Sequence, residues 1–434
     1  MRLIRLLKND IAREAEEWVG DQIISQDQAE QICSRYGVDY QQINSRSFGY
    51  NLLIGLGYLF MGLAVITLLS ANWDDIPRSL RMGGLVAATM VIQGLALWKY
   101  NSGHLAAGVN GFLFGNLLFG ASLILTAQIY HLGEQMSGQI FWWALGCLPI
   151  ALLTNSRAIA LQTLALAVIW FLVEVNMGFY PALFPVFLVA AVIVLLRGAP
   201  SILLLLSVVG SLGLWLEYSL AQLWRDTRHF DFQVEHVAVS VALCIGIYAL
   251  SHWLRRRDSV VTKDYASVLA MWSLRFGLVF MLVLGFEAPW EEMIEANWEH
   301  SLSMGTIVLL LSIGALLLVA KTDSLKIIAA FLVALMVTLL AVANSGNIEH
   351  AVYFQIVSNV ALVLAGVALI VLGINNGISH YFFLGVAAIL LTGLMRYADL
   401  VGDYIGGAIL FMVFAAILLG AAKYWRYVQL RGAQ

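Results

Sequence analysis

The chain has 434 residues, of which 61% are hydrophobic and only 12% are charged. Soluble domains carry roughly 25% charged residues, so this composition leaves too little polar surface to cover a globule in water. The mean hydropathy of +0.84 is typical of a protein embedded in lipid. The net charge of −3 argues against nucleic acid as a partner, because phosphate backbones are bound by dense positive charge.

The sequence predicts neither a metal site nor a cofactor. The three cysteines are far apart, which is not the pattern of a disulfide framework or a metal cluster. His229, Asp231, Glu235 and His236 are metal-ligand types, but their spacing matches no zinc pattern, so we expect a solvated loop. No glycine-rich phosphate loop, nucleophile elbow or metalloprotease motif is present.

Residues 1–46 are more polar than the rest of the chain and predict a small helical hairpin in water, on the cytoplasmic side. Apolar residues at helical spacing precede Gly20. Ser25 and Gln28 then form a capping-box signal for a second short helix. We expect residues 47–434 to form the transmembrane domain.

Long apolar runs follow, separated by brief polar breaks. A membrane-spanning helix needs about 20 apolar residues. Strands of a membrane barrel alternate polar and apolar residues, whereas these runs are continuously apolar. The predicted fold class is therefore all-α, a polytopic bundle of about 14 spans, with 12 to 14 allowed because two runs are short. The candidate spans are 51–70, 82–98, 105–128, 139–153, 157–174, 180–196, 200–222, 235–254, 266–286, 303–320, 324–343, 351–373, 380–394 and 404–422.

The distribution of basic residues predicts the orientation. With the N-terminus inside, most of the 24 Lys and Arg residues fall on the inner side, including the basic group at 255–257. The positive-inside rule therefore predicts that both termini lie in the cytoplasm. This arrangement requires an even number of spans.

Residues 287–300, between two spans, predict a helix that lies in the membrane interface. Apolar side chains fall on one helical face and acidic side chains fall on the other. The apolar residues are Trp290, Met293, Ile294 and Trp298, and the acids are Glu291, Glu292, Glu295 and Glu299.

Small residues crowd the third span and indicate close helix packing. Gly111 and Gly115 form a Gly-x-x-x-Gly motif, which lets two helix backbones approach each other. Asn110 and Asn116 lie among these glycines. We expect their amides to bond across a helix interface, and a polar pathway is the alternative.

Two motifs resemble a known family. Asn72-Trp73-Asp74 follows the first span, and Gln128-Ile129-Tyr130-His131 follows Gly120. These motifs are similar to the bacterial membrane proteins grouped as domain of unknown function 2157, most strongly over residues 10–155. Further matching positions are Trp18, Gly20, Ile24, Tyr36 and Gly37. The resemblance implies a bacterial inner-membrane protein and brings no established activity.

Two charged residues lie within apolar runs, where ionisable side chains are functional candidates. Arg275 lies about 13 Å into its span, and Glu217 lies about 8 Å below the outer surface, at 1.5 Å per residue. A structural ion pair, or snorkelling toward the headgroups, is one interpretation. A pair that handles protons or anions is the other.

Polar residues on the outer side form a second candidate site. Pro77 and the acids before it suit the beginning of a helix, so capping and anchoring is the structural interpretation. A shared outward-facing site is the functional interpretation. Its candidate residues are Asn72, Asp74, Asp75, Arg78, Tyr130, His131, Glu134, Arg396 and Asp399.

Three functions fit these observations. The large bundle with buried charges and amides favours a transporter or exporter-like protein. The alternative is a membrane scaffold or sensor whose N-terminal hairpin binds a cytoplasmic or membrane protein. An enzyme acting on a lipid or lipid-linked substrate stays open. The one partner expected in every case is the lipid bilayer.

Overall fold

A computed structural model describes residues 15, 18–35, 60, 77–130, 136–224, 233–322, 324–375, 377–399 and 412. Over these residues the chain is helical and contains no strand, so the all-α prediction is confirmed. The helices are α1 (Gln26–Arg35), α2 (Arg78–Asn101), α3 (Leu105–Tyr130), α4 (Met136–Thr154), α5 (Arg157–Asn176), α6 (Phe184–Arg197), α7 (Ile202–Trp224), α8 (Val234–Leu254), α9 (Val260–Val283), α10 (Ala288–Glu295), α11 (Ser301–Val319), α12 (Leu325–Ala343), α13 (Ala351–Asn375) and α14 (Ser379–Asp399).

In the described part of the chain, ten helices are long and apolar enough to cross a membrane. Each predicted run from 82–98 to 380–394 coincides with a helix. The runs 51–70 and 404–422 lie outside the described residues. The protein is therefore a polytopic helical membrane protein, as the composition predicts.

Helix α6 is shorter than the sequence predicts. Its run was expected over 180–196, but the helix begins at Phe184 and has 14 residues. Pro185 falls in its first turn, where the missing amide hydrogen of proline is tolerated. The run 380–394, by contrast, forms a full-length helix of 21 residues.

Helix α8 is one of the helices that contact four others. It packs against α7, α9, α11 and α12. From α2 to α7, each helix packs against the next one in the chain. Helix α13 packs against α14, and both contact α9. In the second half of the bundle, α8 therefore contacts α9, α11 and α12.

Glycines on α3 allow close contact with α2. A Cβ on Gly111 would lie 2.8 Å from the Cβ of Ala96, and one on Gly115 would lie 2.8 Å from the amide carbon of Gln93. At Gly111 a side chain has no room, because the Cβ and backbone of Ala96 are fixed, whereas the Gln93 amide near Gly115 is the end of a flexible side chain. The predicted close packing at the Gly-x-x-x-Gly motif is therefore present.

Helix α10 forms where the interfacial helix was predicted and is shorter than expected, and its place in the membrane interface stays a prediction. Trp290 and Met293 are buried, and Glu292 and Glu295 are exposed. The helix ends at Glu295, and beyond it the indole Nε1 of Trp298 donates to the carbonyl of Met293 at 3.1 Å.

The N-terminal segment contains the predicted capping box. The amide of Ser25 donates to Gln28 Oε1 at 2.9 Å, and the amide of Gln28 donates to Ser25 Oγ at 3.3 Å. Ala15, Ala29 and Cys33 pack together beneath it. Burial raises the pKa of the Cys33 thiol above its ordinary value. The division between hairpin and membrane domain lies outside the described residues and stays a prediction.

Replacing Gly111 with isoleucine should destabilise the α2–α3 contact by about 1 to 3 kcal/mol, because the new side chain has no room. The melting temperature of the purified protein in detergent should fall by several degrees. The control is Gly210→Ile, since a Cβ at Gly210 on α7 meets nothing within 4 Å. Equal melting temperatures for the two variants would contradict the packing described above.

Candidate functional site

The candidate site is a cluster of polar side chains between α7 and α8. His236 Nδ1 lies 3.0 Å from Glu217 Oε2, and Ser240 Oγ donates to Glu217 Oε1 at 2.9 Å. Both carboxylate oxygens therefore have a partner on α8. The His236 side chain is 1% exposed and the Glu217 side chain is 22% exposed, so the carboxylate is the more accessible member of the pair.

Helical spacing brings these side chains together. His236 and Ser240 are four residues apart near the beginning of α8, which places them on one face. Glu217 and Trp224 are seven residues apart near the end of α7, which also places them on one face. Because α8 runs back along α7, the two faces meet.

A second layer extends the cluster toward α11. The Trp224 ring is stacked on the His300 ring, with centroids 5.8 Å apart and 7° between the planes. The same indole lies 5.0 Å from the His236 ring. The backbone amide of His300 donates to Glu235 Oε1 at 3.3 Å. The cluster thus contains two carboxylates and two imidazoles.

Within the part of the chain that the structure describes, two nitrogens in this layer have no hydrogen-bond partner. Trp224 Nε1 and His300 Nε2 are both buried and unpartnered. A buried polar group without a partner costs about 1 to 3 kcal/mol, and such groups in native proteins are usually satisfied by water or another small molecule. These nitrogens therefore favour a small hydrogen-bonding species at the cluster.

The prediction that Glu235 and His236 belong to a solvated loop is wrong. Both lie in the first turn of α8 and are 2% and 1% exposed. An acidic residue is favoured there by the helix dipole, and the packing of α7 and α11 buries it. His229 and Asp231 lie outside the described residues. Within the part of the chain that the structure describes, no three His, Cys, Asp or Glu residues are grouped to hold a metal ion.

The sequence identified Glu217 but missed its partners. Ser240, Trp224 and His300 were not predicted to belong to a site. The sequence pattern that could have indicated Ser240 is its position four residues after His236, at the start of an apolar run. This pattern does not predict which neighbouring helix the two side chains face.

Arg275 lies on α9 and is partly buried. Its guanidinium Cζ is 5.2 Å from the centroid of the Trp272 ring, within the range of a cation–π contact. Among the described residues, no ion pair joins Arg275 to Glu217. The structure therefore assigns the two intramembrane charges to different partners.

The outer-face site is only partly described. Arg78 is the first residue of α2, and Arg396 near the end of α14 lies 5.6 Å from the Phe286 ring. With its amide oriented toward the donors, Gln355 Oε1 accepts from Arg396 Nη1 at 2.7 Å and from the Glu287 amide at 3.2 Å. For the remaining candidates the structure describes either the helical backbone alone or no atoms at all. This site therefore stays a prediction. The remaining candidates are Asn72, Asp74, Asp75, Tyr130, His131, Glu134 and Asp399.

A chain of amides links α2, α3 and α5. Gln93 Nε2 donates to Asn116 Oδ1 at 3.1 Å, and Asn116 Nδ2 donates to Gln162 Oε1 at 3.0 Å. Gln162 Nε2 donates in turn to the carbonyl of Leu113 at 3.1 Å. From α4, Trp143 Nε1 donates to the Asn116 carbonyl at 2.7 Å. For Asn116 this arrangement supports helix packing, the first of the two predicted interpretations, because its amide bonds to side chains on two other helices. The same prediction for Asn110 is wrong, because Asn110 is exposed on α3.

Replacing Asn116 with leucine should destabilise the protein by about 1 to 3 kcal/mol, because Gln93 and Gln162 would lose buried partners. Asn116 is 1% exposed. The matched control is Asn110→Leu on the same helix, since Asn110 is exposed. Thermal unfolding should separate the two variants. A loss of stability as large for Asn110→Leu as for Asn116→Leu would rule out the amide chain as the cause.

Comparison with known proteins supports the resemblance noted in the sequence. No curated protein and no solved structure matches the chain. The model of a family described as "Predicted membrane protein (DUF2157)" matches residues 16–160. That range covers α1 to α4 and the beginning of α5. Over residues 16–160 the chain is therefore similar to a family of predicted membrane proteins, and the expected resemblance is confirmed there.

Proposed function

We propose that the protein is a transporter or exporter-like protein in which solute movement is coupled to protons at the Glu217–His236 pair. The observation that carries this proposal is the carboxylate–imidazole contact of 3.0 Å inside the bundle. Ionisable side chains within membrane helices are costly, and they typically mark ion pathways and proton relays.

The chemistry of the pair suits proton coupling. Histidine is the residue type that changes charge in the physiological pH range, and a carboxylate beside it accepts or returns the proton. Moving one proton between Nδ1 of His236 and Oε2 of Glu217 converts a charged pair into a neutral pair. A buried charge without its partner is unfavourable, so the protonation state is linked to how α7 and α8 pack.

The polar groups around the pair come from α7, from α8 and from the residue before α11. Ser240 and Glu235 lie on α8, Trp224 lies on α7, and His300 precedes α11. A second carboxylate and a second imidazole beside the first pair allow a proton to be passed on. The unpartnered nitrogens of Trp224 and His300 supply hydrogen-bonding positions for water in such a relay.

Arg275 supports a further detail of the proposal. It lies on α9, which packs against both α7 and α8. A fixed positive charge at this position favours an anionic solute, since an anion would compensate it within the membrane.

Replacing Glu217 with glutamine should lower coupled proton movement by at least about tenfold, because groups that transfer protons contribute factors of this size or more. The full chain would be reconstituted into vesicles that trap a pH-sensitive dye. A small-molecule extract of the cells would be added outside, and the internal pH would be recorded.

The matched control is Glu174→Gln. Glu174 is also partly buried near a helix end, but its carboxylate accepts only from Trp170 on its own helix, at 3.0 Å. We expect this variant to behave like the unmodified protein. Two results would contradict the proposal: no extract-dependent proton movement by the unmodified protein, or equal rates for Glu217→Gln and the unmodified protein.

A scaffold or sensor is the second candidate function, and the N-terminal segment favours it. The Ser25–Gln28 capping box and the packing of Ala15 against Ala29 and Cys33 make a small folded unit before the spans. A folded unit of this kind suits a protein-binding role. The bundle would then hold it at the membrane surface.

Deleting residues 1–46 separates the two functions. A scaffold should lose its cellular function, tested by returning the shortened gene to a strain that lacks it, while the melting temperature of the membrane part stays unchanged. A transporter should keep the proton movement measured in vesicles. Full cellular function after the deletion would exclude the scaffold.

We also infer that the protein lies in the bacterial inner membrane with both termini in the cytoplasm. The family resemblance supports the membrane, and the bias of basic residues supports the orientation. In this orientation the Glu217–His236 pair lies toward the outer surface.

A further inference from the structure

We propose that the junction between the end of α8 and the beginning of α12 binds the headgroup of an anionic phospholipid. Arg255, Arg256 and Arg257 follow α8, and Lys321 and Lys326 flank the beginning of α12. All five side chains are exposed. Among the described residues, none of the five forms an ion pair, so their charge is available to a ligand.

A direct contact holds the two basic segments side by side. His252 Nδ1, in the last turn of α8, lies 2.7 Å from Ser324 Oγ, just before α12. One turn earlier, the Tyr248 ring packs at 4.8 Å from the His252 ring and at 6.4 Å from the Phe331 ring. The two groups of cations therefore belong to one surface.

Apolar side chains continue this surface into the membrane. Ile327 and Phe331 are four residues apart on α12 and lie on one face. They are 52% and 48% exposed. The surface thus presents cations at the helix end and exposed apolar groups along the helix. A phospholipid has the same division, with a charged headgroup above apolar chains.

Two further groups suit a phosphate. Arg257 lies 4.3 Å from the Trp253 ring, which orients its guanidinium, and arginine binds phosphate through two parallel hydrogen bonds. His252 Nε2 is buried and has no hydrogen-bond partner among the described residues. Asp258 and Asp323 are the acids within three residues of these cations along the chain, and the five cations outnumber them, so positive charge predominates at the junction.

Orientation alone does not account for this arrangement. The positive-inside bias requires basic residues in inner loops but does not require two loops to be joined, or an apolar face to lie beneath them. Basic pockets between membrane helices are the known type of site for acidic headgroups. The junction between α8 and α12 has both features of such a site, namely two basic segments held together and an apolar face beneath them.

The test compares lipid retention by the purified full chain. The protein would be incubated with mixed micelles of phosphatidylglycerol and phosphatidylcholine, and bound lipid would be counted by native mass spectrometry. We expect phosphatidylglycerol to be retained in preference. The double variant Arg255→Gln/Lys326→Gln should lower that preference by about tenfold, since each cation near a membrane surface contributes on the order of a fewfold to tenfold in affinity.

The control is the double variant Lys99→Gln/Arg197→Gln, which removes the same charge from exposed positions at the ends of α2 and α6. It should retain phosphatidylglycerol like the unmodified protein. Equal retention of the two lipids, or equal losses in the two double variants, would overturn the proposal. Displacement of the lipid by millimolar inorganic phosphate would also overturn it, because the site would then bind a soluble anion.

Discussion

Helices in lipid gain little by burying apolar side chains against one another, because the acyl chains are as apolar as those side chains. Their association depends instead on close backbone contact and on polar groups that find partners in the bundle. Helices α2 and α3 use both, with glycines at the contact and a chain of amides beside it. The Glu217–His236 contact plays the same part between α7 and α8. These backbone and polar contacts join α2 to α3 and α7 to α8.

The two polar arrangements have different chemical capacities. The amides around Asn116 donate and accept hydrogen bonds but do not change charge, so their contribution is to fix helix positions. The cluster around Glu217 contains groups that gain and lose protons. His236 lies on α8, which contacts four other helices. Under the proposed function, the same contact would both join α7 to α8 and respond to protons.

Most of the fold was predictable, because the composition of each apolar run determines whether it forms a membrane-spanning helix. Continuous apolar residues and polar breaks located the described helices, and the alternation of acidic and apolar residues located α10. Contacts between helices were not predictable in the same way. Glu217 was visible as an intramembrane charge, but its partner depends on the rotation of α7 relative to α8. His236 was assigned to a solvated loop because it borders a polar segment, and only the packing of neighbouring helices buries it.

The short helix α6 has a consequence for the surrounding bilayer. At 1.5 Å per residue its 14 residues extend about 21 Å, whereas the hydrocarbon layer is about 30 Å thick. Its neighbour α5, with 20 residues, matches that thickness. Val186, Val189 and Leu196 of α6 are exposed, so lipid meets a shortened apolar surface there. A bilayer responds to such hydrophobic mismatch by thinning locally. The stability of the protein should therefore depend on acyl-chain length, with shorter chains favoured beside α6.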